Sequence, residues 1–172
     1  KSTLETSNRS PEKWIEQIDI NYNNNLLSYE IGQVISKHTS MDDVLTSVVQ
    51  ISERRLDYDR GAIFLINEKG DRLVYRAGFG YIEEYLNILE NIEFQINQSN
   101  SKGIFIKSFN EQKPFLINDI GKVERDLSPR RLKFSKSIGS HAFICCPIVY
   151  ENESMGIIVA DNVNSRRNLT QS

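Results

Sequence analysis

The chain has 172 residues, 39% hydrophobic and 26% charged, with a formal net charge of -2, which suits one cored domain plus an extension and excludes wholesale disorder. Lys and Arg are scattered without a basic stripe, so nucleic acid is not an expected partner. No apolar run of about 18 residues appears, so no membrane contact is expected from this segment, and two cysteines give no disulfide framework, so the expected compartment is the reducing cytoplasm.

Lys1 to Ser10 is polar and patternless and reads as linker. From Pro11 and Trp14 to about Lys37 the spacing predicts a helix. Ile20, Leu27 and Val34 are seven apart and Ile31 follows Leu27 by four, a stripe at heptad spacing interrupted by Asn23-Asn24-Asn25. This stripe is the expected seam of a homodimer of parallel helices; packing on its own domain is the competing reading. Thr39-Ser40 followed by Asp42-Asp43 marks a second helix start, with Val44, Leu45, Val48, Val49 and Ser52 on one face and an end near Leu56.

The period then changes. Ala62-Ile63-Phe64-Leu65-Ile66 is apolar at every position and short, as in a strand covered on both faces. Asn67 to Asp71 is a hairpin loop and Leu73 to Ala77 its return strand. A short helix over Tyr81 to Glu90, a strand over Glu93 to Ile96, a helix over Gly103 to Asn110 and a strand over Pro114 to Ile117 follow. Ser128-Pro129 opens another short helix, and Pro129-Arg130-Arg131-Leu132-Lys133, the densest basic spot, reads as its solvated face. Ala142 to Tyr150 and Met155 to Asp161 make a last hairpin around Glu151 to Ser154. Hairpins imply an antiparallel sheet, hence an α+β class, with the first helices on one face and short helices and loops on the other. A small ligand would lodge under that second cover.

The segments Gly61-Ala62-Ile63-Phe64-Leu65, Gly103-Ile104 with Lys113 to Asp119, and Ser140 through Cys146-Pro147-Ile148 to Gly156-Ile157-Ile158 resemble, in order and spacing, a GAF domain, the small-molecule-binding regulatory module of signalling proteins. The family often has a second glycine where this chain has Ile106. The resemblance covers roughly residues 26 to 168. It implies a GAF-like (profilin/PAS-like) central antiparallel sheet of five to six strands, residues 1–25 as linker and signalling-helix extension, and residues 26–172 as the domain without its closing C-terminal helix. It further implies a cytoplasmic, bacterial-type sensor that passes ligand occupancy to an output domain of the same polypeptide.

Cys145 and Cys146 are adjacent in a strand, so their side chains point to opposite faces and cannot grip one metal; they read as small apolar residues. His38 and His141 are the only histidines, and a lone His141 is a weak haem ligand. Bilin-binding relatives anchor through a Cys-His pair, which is absent. Relatives that bind cyclic nucleotides carry Asn-Lys after the last strand, where Asn162 is followed by Val163, and a small residue in place of Phe105. Cofactors are therefore expected to be none, with cyclic nucleotide, haem and bilin disfavoured and an unknown small ligand open. The candidate pocket comprises Phe64, Tyr75, Ile104, Phe105, Ile120 and Phe143, with Asp161 as polar anchor. Three functions stand: a ligand-sensing domain; a dimerisation and relay module whose cavity is filled by Phe105, Phe109 and Tyr85; and, distantly, a cysteine redox enzyme. No enzymatic activity is expected.

Overall fold

The computed structural model describes residues 11–37, 40–97, 103–123, 139–165 and 169, with side chains described from residue 15 to 33 of the first helix and to residue 121 before the third gap. The elements are α1 (Pro11–Lys37), α2 (Met41–Arg55), β1 (Arg60–Ile66), β2 (Arg72–Phe79), α3 (Glu83–Asn91), β3 (Glu93–Gln95), α4 (Ile104–Glu111), β4 (Phe115–Ile117), α5 (Ile120–Val123), β5 (Phe143–Tyr150) and β6 (Glu153–Asp161). The linker at Lys1 to Ser10, the helix at Ser128-Pro129 and the basic spot after it lie outside the described residues.

Six strands form one antiparallel sheet in the order β3-β2-β1-β6-β5-β4. β1 and β6 are central, which is why their apolar residues are continuous rather than alternating. Ala62 and Phe64 enter one core with Ile157, Val159 and Cys145, while Ile63 enters a second core with Leu45 and Val49 of α2. In α2, Asp42 and Asp43 sit in the first turn and Arg54 and Arg55 in the last, matching the helix dipole at both ends. Ile51, outside the expected stripe, is also buried, because α1 packs along α2.

Two local features depart from the expected pattern. Ile63 pairs with Ala77 but Phe64 pairs with Tyr75, so Arg76 is an extra residue in β2, a bulge. It reverses the facing of the strand: Leu73 and Tyr75 belong to the first core, Ala77 and Phe79 to the second. Arg76 itself turns outward to Asp42, at 2.6 Å. The β5–β6 turn is also tighter than the four-residue loop expected. Glu151 and Asn152 both have positive φ, 48° and 66°, the signature of a two-residue turn whose twist matches its strands. On β6, a Cβ at Gly156 would lie 2.2 Å from the Phe64 carbonyl oxygen, so the close approach of β6 to β1 needs glycine there.

Candidate functional site

The first core lies between the sheet and α4, and its centre is aromatic. Phe64 from β1 stands edge-on to Tyr75 (centroids 5.9 Å apart) and to Phe94 of β3 (5.4 Å). Phe105 of α4 meets Phe94 at 5.1 Å and Phe143 of β5 at 5.6 Å, again near perpendicular. These are the arrangements ring quadrupoles favour, each contributing about 0.5–1.5 kcal/mol beyond burial. Ile104 and Ile120 are buried in the same cluster, with Tyr75, Tyr81, Tyr85, Leu86 and Phe115 partly buried against it. The six apolar candidates therefore share one face of the sheet. Phe109 is buried in the cluster too, and Tyr85 packs against it. Ile106, at the place of the missing glycine, is fully buried.

Asp161 lies at the end of β6 on this same side, and it is already engaged. Arg60 donates from Nε (2.9 Å) and Nη2 (2.7 Å) to its two carboxylate oxygens, and Ser140 Oγ donates to one of them at 3.0 Å. Both charged side chains are 3% exposed. The guanidinium lies 4.9 Å from the Tyr81 ring centre and 5.7 Å from that of Tyr85, so cation–π attraction adds to the pairing. Burial pulls the Arg60 guanidinium down, but its hydrogen bonds to the Asp161 carboxylate and that group's charge outweigh it, and its pKa is raised. Burial first, and Asp161 second, push the Tyr81 hydroxyl above its ordinary value. Arg60, Ser140 and Phe94 complete the site without standing out as site residues in the sequence. The alternation around Phe94 was the one available signal. Nothing local marks Arg60, whose partner lies 101 positions away.

Below this pair, Asp59 holds the chain after β6. Its amide donates to the Asp161 carbonyl at 3.0 Å and to Asn162 Oδ1 at 2.9 Å, and its carboxylate accepts from the Ser165 amide at 2.6 Å. The start of β1 is thus tied to the segment that follows β6.

The cysteines sit as adjacent strand residues must. Cys145 is buried in the first core and Cys146 is half-buried, paired with Ile158 of the opposite facing. Burial pushes the Cys145 thiol up to about 12, against a hydrogen bond with Ser108 that lowers it. Burial likewise raises Cys146. An unfolded thiol ionises from about pH 9 whereas folded Cys145 stays neutral to about 12. Its contribution to stability is therefore complete below pH 9 and is lost as pH rises from there to 12. Iodoacetamide at about pH 8.5 should leave Cys145 unmodified in the folded chain and label it on denaturation. Changing both cysteines to alanine should cost about 1–2 kcal/mol in a urea melt. Rapid labelling of folded Cys145 would contradict the burial argument. No group of three or more His, Cys, Asp or Glu side chains placed to hold a metal occurs among the described residues.

A six-stranded antiparallel sheet with α2 on one face and short helices over an aromatic core on the other defines an α+β domain. The GAF domain family matches residues 40–172, and the chain belongs to that family. Solved structures agree on the fold. A methyl-accepting chemotaxis protein fragment (residues 122 to 287) superposes with a TM-score of 0.66 at 24% identity, covering 82% of this chain and 84% of that one. The GAF domain of an Acinetobacter phosphoenolpyruvate-protein phosphotransferase gives 0.65 at 19%, covering 88% and 82%. Free methionine-R-sulfoxide reductase from Neisseria meningitidis, solved with its substrate, gives 0.58 at 15%, covering 81% and 72%. No curated protein sequence is matched significantly. No described helix is long and apolar enough to cross a membrane.

Proposed function

We propose that this chain is the ligand-sensing regulatory domain of a larger, cytoplasmic signalling protein, and that its ligand is a small, largely apolar, ring-bearing molecule. One observation carries the reading: aromatic rings from β1, β2, β3, α4 and β5 converge on one side of the sheet. At the rim of that cluster Tyr75 and Tyr85 remain only partly buried. Partly exposed rings with polar tips suit a ligand that brings an apolar face and a hydrogen-bonding edge. Two of the structural neighbours, pieces of a methyl-accepting chemotaxis protein and of a protein described as a two-component sensor histidine kinase, support the role. The reductase among the neighbours keeps enzymatic chemistry in view, but no catalytic role is proposed for thiols held neutral by burial.

The second reading is a relay module without a ligand. The mutual packing of Phe64, Phe94, Phe105 and Phe143 favours it, since those rings occupy the space a ligand would need. The engagement of Asp161 by Arg60 and Ser140 favours it also. Aromatic and methyl NMR during titration with fractionated small-molecule extract separates the two. The sensing reading expects shifts concentrated at Tyr75, Ile104, Phe105 and Phe143. Shifts confined to the α2 side of the sheet, or none with any fraction, would favour the relay.

A further inference from the structure

Asp59 and Arg60, at the start of β1, are where segments distant in sequence meet. Arg60 binds Asp161 at the end of β6, and Ser140, ahead of β5, donates to the same carboxylate. Asp59 holds Asn162 through its amide and Ser165 through its carboxylate. The connection from β2 to α3 rests on the same two residues. Gly80 there has φ +75°, and a Cβ on it would lie 2.0 Å from the Asp59 carbonyl oxygen and 3.0 Å from Arg60 Cα. Just beyond it, Tyr81 and Tyr85 set their rings beside the Arg60 guanidinium.

One rigid group therefore answers to two sets of partners. The planar guanidinium grips Asp161 with two hydrogen bonds, which fixes its plane as well as its position. The same group lies beside two tyrosine rings, one of which, Tyr85, packs against the aromatic cluster. Both members of the ion pair are 3% exposed, so water does not stand in cheaply for a partner that moves away. A displacement of the Tyr85 ring is felt by Arg60, and through Asp161 by the residues that Asp59 holds.

We propose that Arg60 is a positioning residue that couples the Tyr85 ring, at the rim of the aromatic face, to the segment Asn162 to Ser165 by way of Asp161 and Asp59. A ligand ring that turned Tyr85 aside would take an aromatic partner from the guanidinium. The Asp161 pairing would loosen, and the hydrogen bonds from Asp59 to Asn162 and Ser165 would open more often. The sensing reading supplies what moves Tyr85; the coupling itself does not depend on it.

Native-state hydrogen exchange of the chain, read at the Asp59 and Ser165 amides, tests the coupling with no ligand present, so its outcome is separate from whether the aromatic face binds one. Both amides donate in the hydrogen bonds at issue. Tyr85→Leu keeps an apolar side chain but removes the ring, and should raise exchange at both amides roughly 2- to 5-fold. Tyr85→Phe keeps the ring and should match the parent. Amides in the middle of β1 correct for any loss of global stability. In an Arg60→Met/Asp161→Leu background, Tyr85→Leu should add no further exchange at the two amides. Unchanged exchange in Tyr85→Leu, or an equal rise in Tyr85→Phe, would overturn the coupling, and that comparison needs only the single variants. A full rise persisting in the doubly substituted background would overturn the part given to Arg60.

Discussion

Replacing Asp161 with alanine should destabilise the domain by about 3–5 kcal/mol in urea or thermal unfolding. The guanidinium of Arg60 would then keep its charge in a site 3% exposed after losing two hydrogen bonds and its counter-ion. The cost comes from the stranded charge more than from the worth of the pair. Two comparisons separate these contributions. Asp161→Asn keeps the shape but offers an amide to a cation, so it should recover little. Arg60→Met combined with Asp161→Leu removes both charges and should be more stable than Asp161→Ala alone. Amide exchange should show where the damage goes. Arg60 lies against Tyr81 and Tyr85 at the start of α3, while Asp161 leads into the segment after β6 held by Asp59. Protection should fall at both places before it falls in β1. An Asp161→Ala variant within 1 kcal/mol of the parent, roughly the worth of an exposed ion pair, would show the pair to be solvated.

Phe105→Ala should cost about 3–5 kcal/mol as well, by a different route. Phe105 is 8% exposed and touches Phe94 and Phe143 edge-on, so removing its ring takes away packing on both sides and leaves a cavity in the middle of the first core. Phe105→Leu keeps most of the volume and should cost roughly a third to a half as much. The cavity would be apolar and should therefore take up benzene or indole, raising the melting temperature of Phe105→Ala and not that of the parent. A loss below about 1 kcal/mol would mean that the ring is peripheral to the core.

The layers of this fold were legible in the sequence because they rest on period. The unbroken apolar run at Ala62 to Ile66 announced a strand covered on both faces, and the stripe of Leu45, Val49 and Ser52 announced the helix that covers one of them. The candidate face was legible for the same reason, since residues from five separate elements all packed into one cluster. What escaped depends on register and on distant pairing. A strict alternation through β2 would put Leu73, Tyr75 and Ala77 on one face, and only the extra residue at Arg76 sends Ala77 to the other. The two-residue turn at Glu151-Asn152 lacks the glycine that usually announces it. Asp161 was seen as a polar anchor, but its binding to Arg60 and Ser140 depends on strand order, which no local pattern contains. On α1 the apolar positions define two stripes, and the sequence alone does not say which one α2 covers.

Native mass spectrometry of the chain, isolated from cells without denaturation, tests the sensing role most directly. If the aromatic face receives a ligand, the folded chain should carry a defined non-covalent small-molecule mass that disappears on denaturation. The occupancy of that mass should fall when Tyr75 or Tyr85, at the rim of the cluster, is changed to alanine. A bare polypeptide mass from folded protein, unchanged after incubation with extract fractions, would contradict ligand sensing and leave the relay as the function of the domain.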